Sequence, residues 1–219
     1  MIERVLEPEV MDDDREAEDY DAMDHAGVNA RFVDDLLAAK PSLARVLDVG
    51  TGTARIPLEL VHRVSDASVT AIDLADAMLA VARRNVEAAG MSARITLVRG
   101  DSKGIAGPDG VYSCVISNSI IHHIPEPRSA LAEMARVVAP GGLLFVRDLF
   151  RPRDRAELDR LVALYAARDT ELQRKLFADS LAAALTLDEV RAAVAPLGVP
   201  VGAVTATSDR HWTLSWRKP

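Results

Sequence analysis

Asp48-Val-Gly-Thr-Gly-Thr-Ala54 follows the apolar run Arg45-Val-Leu-Asp-Val49 and precedes a helical pattern over residues 54–64. Strand, turn and helix in that order put several backbone N–H groups beside a helix N-terminus, a place that favours polar or anionic ligands. Gly50 and Gly52 let the chain bend sharply and let a ligand approach without meeting a Cβ. Pro57 is tolerable because it falls in the helix's first turn. A glycine-rich turn is also how a buried strand simply reverses, so its meaning depends on what surrounds it.

Outward from this stretch, short β-rich runs alternate with helical patterns. Helices are predicted around 14–24 and 27–39, the second ended by Pro41. Strands follow at 68–73, 94–98 and 111–117, the last an unbroken apolar run of central-strand type. Between them lie a helix over 75–89, closed by Gly90, and a turn at Gly107-Pro-Asp-Gly110. A helix over 126–138 begins with Pro127, and Pro140-Gly-Gly142 turns the chain into a fifth strand at 143–148. This alternation predicts an α/β fold, a doubly wound and mostly parallel sheet with helices on both faces. Beyond residue 151 the pattern changes. Helical stretches at about 153–169 and 186–195 flank a less regular piece at 176–185. Residues 198–207 and 211–216 read as two strands around Ser208-Asp-Arg210. The insert at about 151–195 is where a substrate-recognition segment would sit.

Several polar residues fall at the carboxyl ends of the predicted parallel strands, the edge where open α/β sheets bind ligands. Asp73 ends the second strand, some twenty residues past the glycines, where a carboxylate can accept hydrogen bonds from both hydroxyls of a ribose. Asp101 ends the third, near the place of an adenine edge, and Asn118 and Ser119 end the fourth. The rival is a dinucleotide, whose G-x-G-x-x-G fingerprint needs a glycine at position 55. Arg55 stands there, and its bulk would hinder close helix–strand packing.

Val46-Leu-Asp-Val-Gly-Thr-Gly-Thr53, Ala71-Ile-Asp73, Val98-Arg-Gly-Asp101, Val115-Ile-Ser-Asn118 and Arg136-Val-Val-Ala-Pro-Gly-Gly142 occur in an order and spacing that resemble class I S-adenosylmethionine-dependent methyltransferases. The resemblance runs from Arg45 to the end of the chain. It implies a Rossmann-like sheet of seven strands with an antiparallel last strand. It also implies S-adenosylmethionine as cofactor, its methionine part on Asp48, Gly50 and Gly52 and its ribose on Asp73. The adenine falls to Asp101, Ser102 and Leu74, with Asn118 completing the cofactor-binding set. A third loop glycine common in the family is Ala54 here. Asn118-Ser-Ile-Ile-His-His-Ile-Pro125 is similar to the matching segment of small-molecule methyltransferases, including those of quinone biosynthesis. Residues 1–41 are then expected to form a helical lid over a core spanning 42–219.

Methyl transfer from a sulfonium is an in-line displacement in which the protein aligns the nucleophile and excludes water. A base is needed only when the acceptor must lose a proton. His123, His122 and Asp148 are the candidate catalytic residues, with His123 the better placed imidazole for a base. Asp148 would orient an acceptor amine or hydroxyl, or else contact its neighbour Arg147. Tyr20 and His25 sit where a lid reaches cofactor or acceptor. In Arg210-His-Trp212, strand alternation sets His211 opposite the other two, and packing is the simpler reading. Metal-dependent catechol-type relatives carry Asp at the end of strand four, where this chain has Asn118, so no catalytic metal is expected.

Composition narrows the rest. Over 219 residues, the net charge of −7 argues against the broad cationic face that nucleic acid requires, though not against a local basic patch. The Asn-Pro-Pro-Tyr type motif of nucleic-acid amino-methyltransferases is missing as well. Arg147, Arg151, Arg153 and Arg155 form a local basic cluster that reads as a solvated surface. Cys114 is the single cysteine and falls in an apolar run, which predicts a buried inert thiol. The acidic opening lacks the layout of a signal peptide, and no run is long enough to span a bilayer. The expectation is therefore a cytoplasmic enzyme acting on a small-molecule methyl acceptor, with no nucleic acid or membrane partner. Its oligomeric state is open, a homodimer included. The competing readings are modification of a protein or RNA, and use of the cofactor for non-methyl chemistry.

Overall fold

A computed structural model describes residues 2–7, 12–23, 25–167 and 170–219. Seven strands form one sheet in the order β3-β2-β1-β4-β5-β7-β6. They are β1 (Val46–Val49), β2 (Val69–Asp73), β3 (Ile95–Arg99), β4 (Tyr112–Asn118), β5 (Val138–Leu149), β6 (Val204–Ala206) and β7 (His211–Arg217). The first five are parallel, and β7 runs antiparallel to both β5 and β6. Strand order reverses between β1 and β4, so the turns that follow those two strands flank the crevice where such sheets take ligands.

Alternation along the strands builds two cores. Leu47, Val115, Leu144, Val146, Trp212 and Leu214 face α5 (Pro127–Val137) and α8 (Leu187–Val194). Cys114, Ile116, Leu143 and Phe145 face the other way, toward α2 (Ala26–Ala38), α3 (Arg55–Arg63) and α4 (Asp76–Ala88). Each helix supplies its apolar residues at three- to four-residue spacing, as Leu131, Met134 and Val137 do in α5. Burial pushes the Cys114 thiol up to about 12, which agrees with an inert packing role. Trp212 is fully buried, in keeping with packing rather than recognition.

Three sequence expectations are corrected. Residues 176–185 are not irregular: Glu171–Ala183 is a helix, α7, started by a reciprocal capping box between Thr170 and Gln173. Its exposed Leu172 and Leu176 blur the periodicity that marks a buried face. The last strand pair is shorter than read, because one 3-10 turn, Ala195–Leu197, ends at Gly198 with φ +76° and another, Val201–Ala203, precedes β6. The fifth strand begins earlier, at Val138, and Pro140-Gly-Gly142 bulges out where pairing with β4 shifts register.

The remaining helices are α1 (Asp14–Asp21) and α6 (Arg155–Tyr165). Residue 24, at the end of the predicted first helix, and residues 168–169, at the end of the predicted insert helix, lie outside the described residues. Among the described residues no helix is long and apolar enough to cross a membrane.

Candidate functional site

The turn after β1 folds back over the end of β2, with the N–H groups of Gly50 and Thr51 both donating to the Ile72 carbonyl, at 2.8 and 2.9 Å. Gly50 adopts φ +72°, and a Cβ there would come within 2.4 Å of the Ile120 side chain. That close approach and the left-handed backbone both require glycine. Ala54 caps α3 at φ +62°, a conformation its small side chain tolerates at some cost.

Asp73 is tied directly into this turn. Its carboxylate accepts the Gly52 N–H at 2.7 Å and the Ala75 N–H at 3.0 Å. Burial raises its pKa, while those N–H donors work in the opposite direction. Asp48 is buried beneath the turn, and desolvation pushes its carboxyl up to about 7 against the pull of the Thr51 hydroxyl. On the next strand end, Gly100 donates to the Asp73 carbonyl, which sets Asp101 beside the same edge. Burial opposes the Asp101 charge, but the N–H and ammonium of Lys103 hold its carboxyl below the usual range. Ser102 follows it, and the Leu74 carbonyl is held by Arg99 at 3.4 Å. Across the crevice, Asn118 presents a buried Oδ1 with no hydrogen-bond partner among the described residues. The structure thus gathers Asp48, Gly50, Gly52 and Asp73 around one turn, with Leu74, Asp101, Ser102 and Asn118 on the same sheet edge.

The second cluster lies at the ends of β4 and β5. Asp148 is wholly buried, and its carboxylate is 2.6 Å from His122 Nδ1. It also accepts the N–H groups of Ile121, His122 and Leu149 at 2.5, 3.2 and 2.6 Å. Burial works against both charges, yet the pairing holds Asp148 below the usual carboxylate range and His122 above the usual imidazole range. His123 lies against His122 with ring centroids 4.1 Å apart.

The contact considered between Arg147 and Asp148 is not made, because adjacent strand residues point to opposite faces. Arg147 instead bonds Asp35 at 2.7 Å and Thr213 at 3.0 Å, above the rings of Phe32 and Phe145. The solvated reading of the basic cluster therefore fails for two of its members. Arg147 and Arg151 are buried and paired with Asp35 and Glu189, while Arg153 and Arg155 are exposed.

Within the expected lid, sequence reasoning did not single out Arg4 or Glu7. Arg4 donates to the carbonyls of Ala183, Pro125, His122 and Ile124, and the Val5 N–H bonds the Ala182 carbonyl. This strap brings Glu7 Oε2 to 3.5 Å from His123 Nδ1. In an acidic stretch nothing distinguishes one glutamate from its neighbours, so no sequence signal was available.

Above the turn, the half-buried Tyr20 ring lies 5.0 Å from that of His25 and 3.9 Å from where a Gly52 Cβ would be. Arg55 does not crowd the sheet, since it turns outward to Asp21 in a two-pronged contact at 2.8 and 2.6 Å. A cavity of about 500 Å³ opens between Tyr20, His25, Arg55 and Asn85. Its lining includes none of the carboxylates of the turn and neither His122 nor His123, so it is not the crevice described above.

Comparison with known proteins bears on the family and the fold. Residues 46–142 match the family model described as a methyltransferase domain. The chain is 35% identical over 188 residues to the malonyl-[acyl-carrier protein] O-methyltransferase of Geobacter sulfurreducens, covering 84% of this chain and 67% of that one. It is 34% identical over 132 residues to the demethylmenaquinone methyltransferase of Thermus thermophilus, covering 60% of this chain and 59% of that enzyme. A SAM-dependent methyltransferase from Aquifex aeolicus shares the fold with a TM-score of 0.67 at 20% identity, over 93% of this chain and 97% of its own.

Proposed function

The chain belongs to the S-adenosylmethionine-dependent methyltransferases, and from that premise we propose that it transfers the methyl group of this cofactor to a small-molecule acceptor by in-line displacement. The observation that carries the proposal is the Asp73 carboxylate bonded into the Gly52 turn, at the point where strand order reverses.

The residues present fit the cofactor. A carboxylate at the end of β2 suits ribose hydroxyls, and the unpartnered Oδ1 of Asn118 is a buried acceptor in need of a donor. Asp48, Gly50 and Gly52 would hold the methionine part, Asp73 the ribose, and Leu74, Asp101 and Ser102 the adenine, with Asn118 at the crevice. The cofactor supplies an activated methyl group.

The chain's own residues align and shield. Asp148 fixes the ring of His122 and the backbone of Ile121–His122, so the end of β4 is held rigidly. His123, the more exposed imidazole of the two, is placed to receive a proton from an acceptor that must lose one. Residues 1–41 act as a lid: α1 lies over the turn through Tyr20, and the strap through Arg4 covers the histidines. The insert at about 151–195 supplies acceptor recognition.

The test is release of S-adenosylhomocysteine with a panel of small acids, quinols and amines, alongside RNA and protein extracts. Turnover on a small compound supports the reading. Turnover confined to the macromolecular samples, or cofactor binding without turnover on any, overturns it.

A further inference from the structure

We infer that Glu7, His122 and His123 form a binding site for one divalent first-row metal ion of the zinc class. Each offers a ligand atom, and these atoms lie within 4.8 Å of one another. Two imidazoles and a carboxylate are a donor set for zinc or ferrous iron, and three protein ligands leave a coordination position open. This inference rests on the cluster's geometry and stands apart from the methyl-transfer reading.

Two further observations point to a cation. The first is the support behind His122: Asp148 lies 2.6 Å from Nδ1, which leaves Nε2 as the lone pair an ion can take. A carboxylate behind a histidine in this way fixes the ring and raises its basicity as a ligand. The second is Glu7, whose Oε1 is buried with no hydrogen-bond partner among the described residues. A buried carboxylate oxygen left so is costly, and a cation removes the cost. Local charge agrees. Glu7 and Asp148 bring two carboxylates against the one guanidinium of Arg4, which is held away on four carbonyls. Sequence reasoning weighed two histidines and an aspartate as ligands and, with Asn118 at the end of strand four, expected no metal. The cluster keeps the two histidines but takes its carboxylate from Glu7, which comes from a segment the motif does not contain.

The ligands come from two separate stretches, residue 7 and residues 122–123, so an ion would pin the opening segment to the end of β4. Its open position would suit an acceptor oxygen or a water.

The test is calorimetric titration of chelator-treated protein with zinc sulfate, without S-adenosylmethionine, together with the visible absorption of the cobalt(II) form. One ion per chain is expected. Glu7→Gln and His123→Ala should each weaken binding by at least about tenfold, and zinc should raise the thermal midpoint of the parent but not of these variants. Glu7→Gln is isosteric and lies outside the sheet, so it keeps the test open if a histidine variant fails to fold. No saturable zinc binding at millimolar concentration overturns the inference. So does binding that both variants leave unchanged, which would place the ion elsewhere on the chain. Either failure leaves cofactor binding at Asp73 untouched.

Discussion

Asp148 and Arg147 are neighbours on β5, yet their side chains serve opposite faces of the sheet. Asp148 pairs with His122 at 2.6 Å on one side, and Arg147 pairs with Asp35 at 2.7 Å on the other. The first pairing fixes the end of β4, and the second ties α2 to the sheet.

Asp148→Asn keeps the shape of the side chain but leaves His122 without its anion. Removing one partner of a buried pair costs about 3–5 kcal/mol. Urea unfolding should show a loss of that order, with the m-value preserved. A loss within experimental error would mean the pair contributes no net stability.

Gly50→Ala sets a Cβ within 2.4 Å of Ile120 and strains a φ of +72°. Strained backbone alone costs about 1–3 kcal/mol, and the displaced turn should lose cofactor affinity. Combining it with Ile120→Ala should recover part of the loss, since the clash is removed and the strain is not. Full recovery would show that the backbone conformation is irrelevant.

Cofactor affinity should depend on pH through Asp48. Its carboxyl is pushed up to about 7, against 3.8 when exposed, so the folded chain holds a proton that the unfolded chain has lost. Stability from this group is therefore full at low pH and declines as pH rises from about 4 to 7. The charged form appears only toward the upper end, where it attracts the cofactor's ammonium, so binding should strengthen between pH 6 and 8. Asp48→Asn should flatten that dependence, as read by titration at several pH values. An unchanged slope in the variant would assign it to another group.

His123→Ala should lower turnover while leaving S-adenosylmethionine affinity nearly unchanged, because His123 belongs to the second cluster and not to the turn. Steady-state kinetics beside equilibrium binding separates the two effects. Normal turnover would remove His123 from the reaction.

Much of this architecture was legible in the sequence because its signals are local. Strand β1, the glycines and Asp73 are fixed by alternation and spacing over a few residues, and the turn forms as that spacing implies. Helix α7 was not legible, since Leu172 and Leu176 lie exposed and break the expected apolar stripe. For Asp148 the sequence offers an acceptor or the neighbouring Arg147, whereas the observed pairing with His122 links residues 26 apart and follows from strand order. Arg4 and Glu7 were beyond reach for the same reason: their contacts join the opening segment to residues more than a hundred positions away.

The most direct test of the central claim is calorimetric titration of S-adenosylmethionine into the parent chain and into Asp73→Ala. Charge-assisted hydrogen bonds are worth about 1.5–3 kcal/mol, so the variant should bind roughly 10- to 100-fold more weakly. A parent chain that shows no binding, or a folded Asp73→Ala that binds as tightly as the parent, would contradict the account.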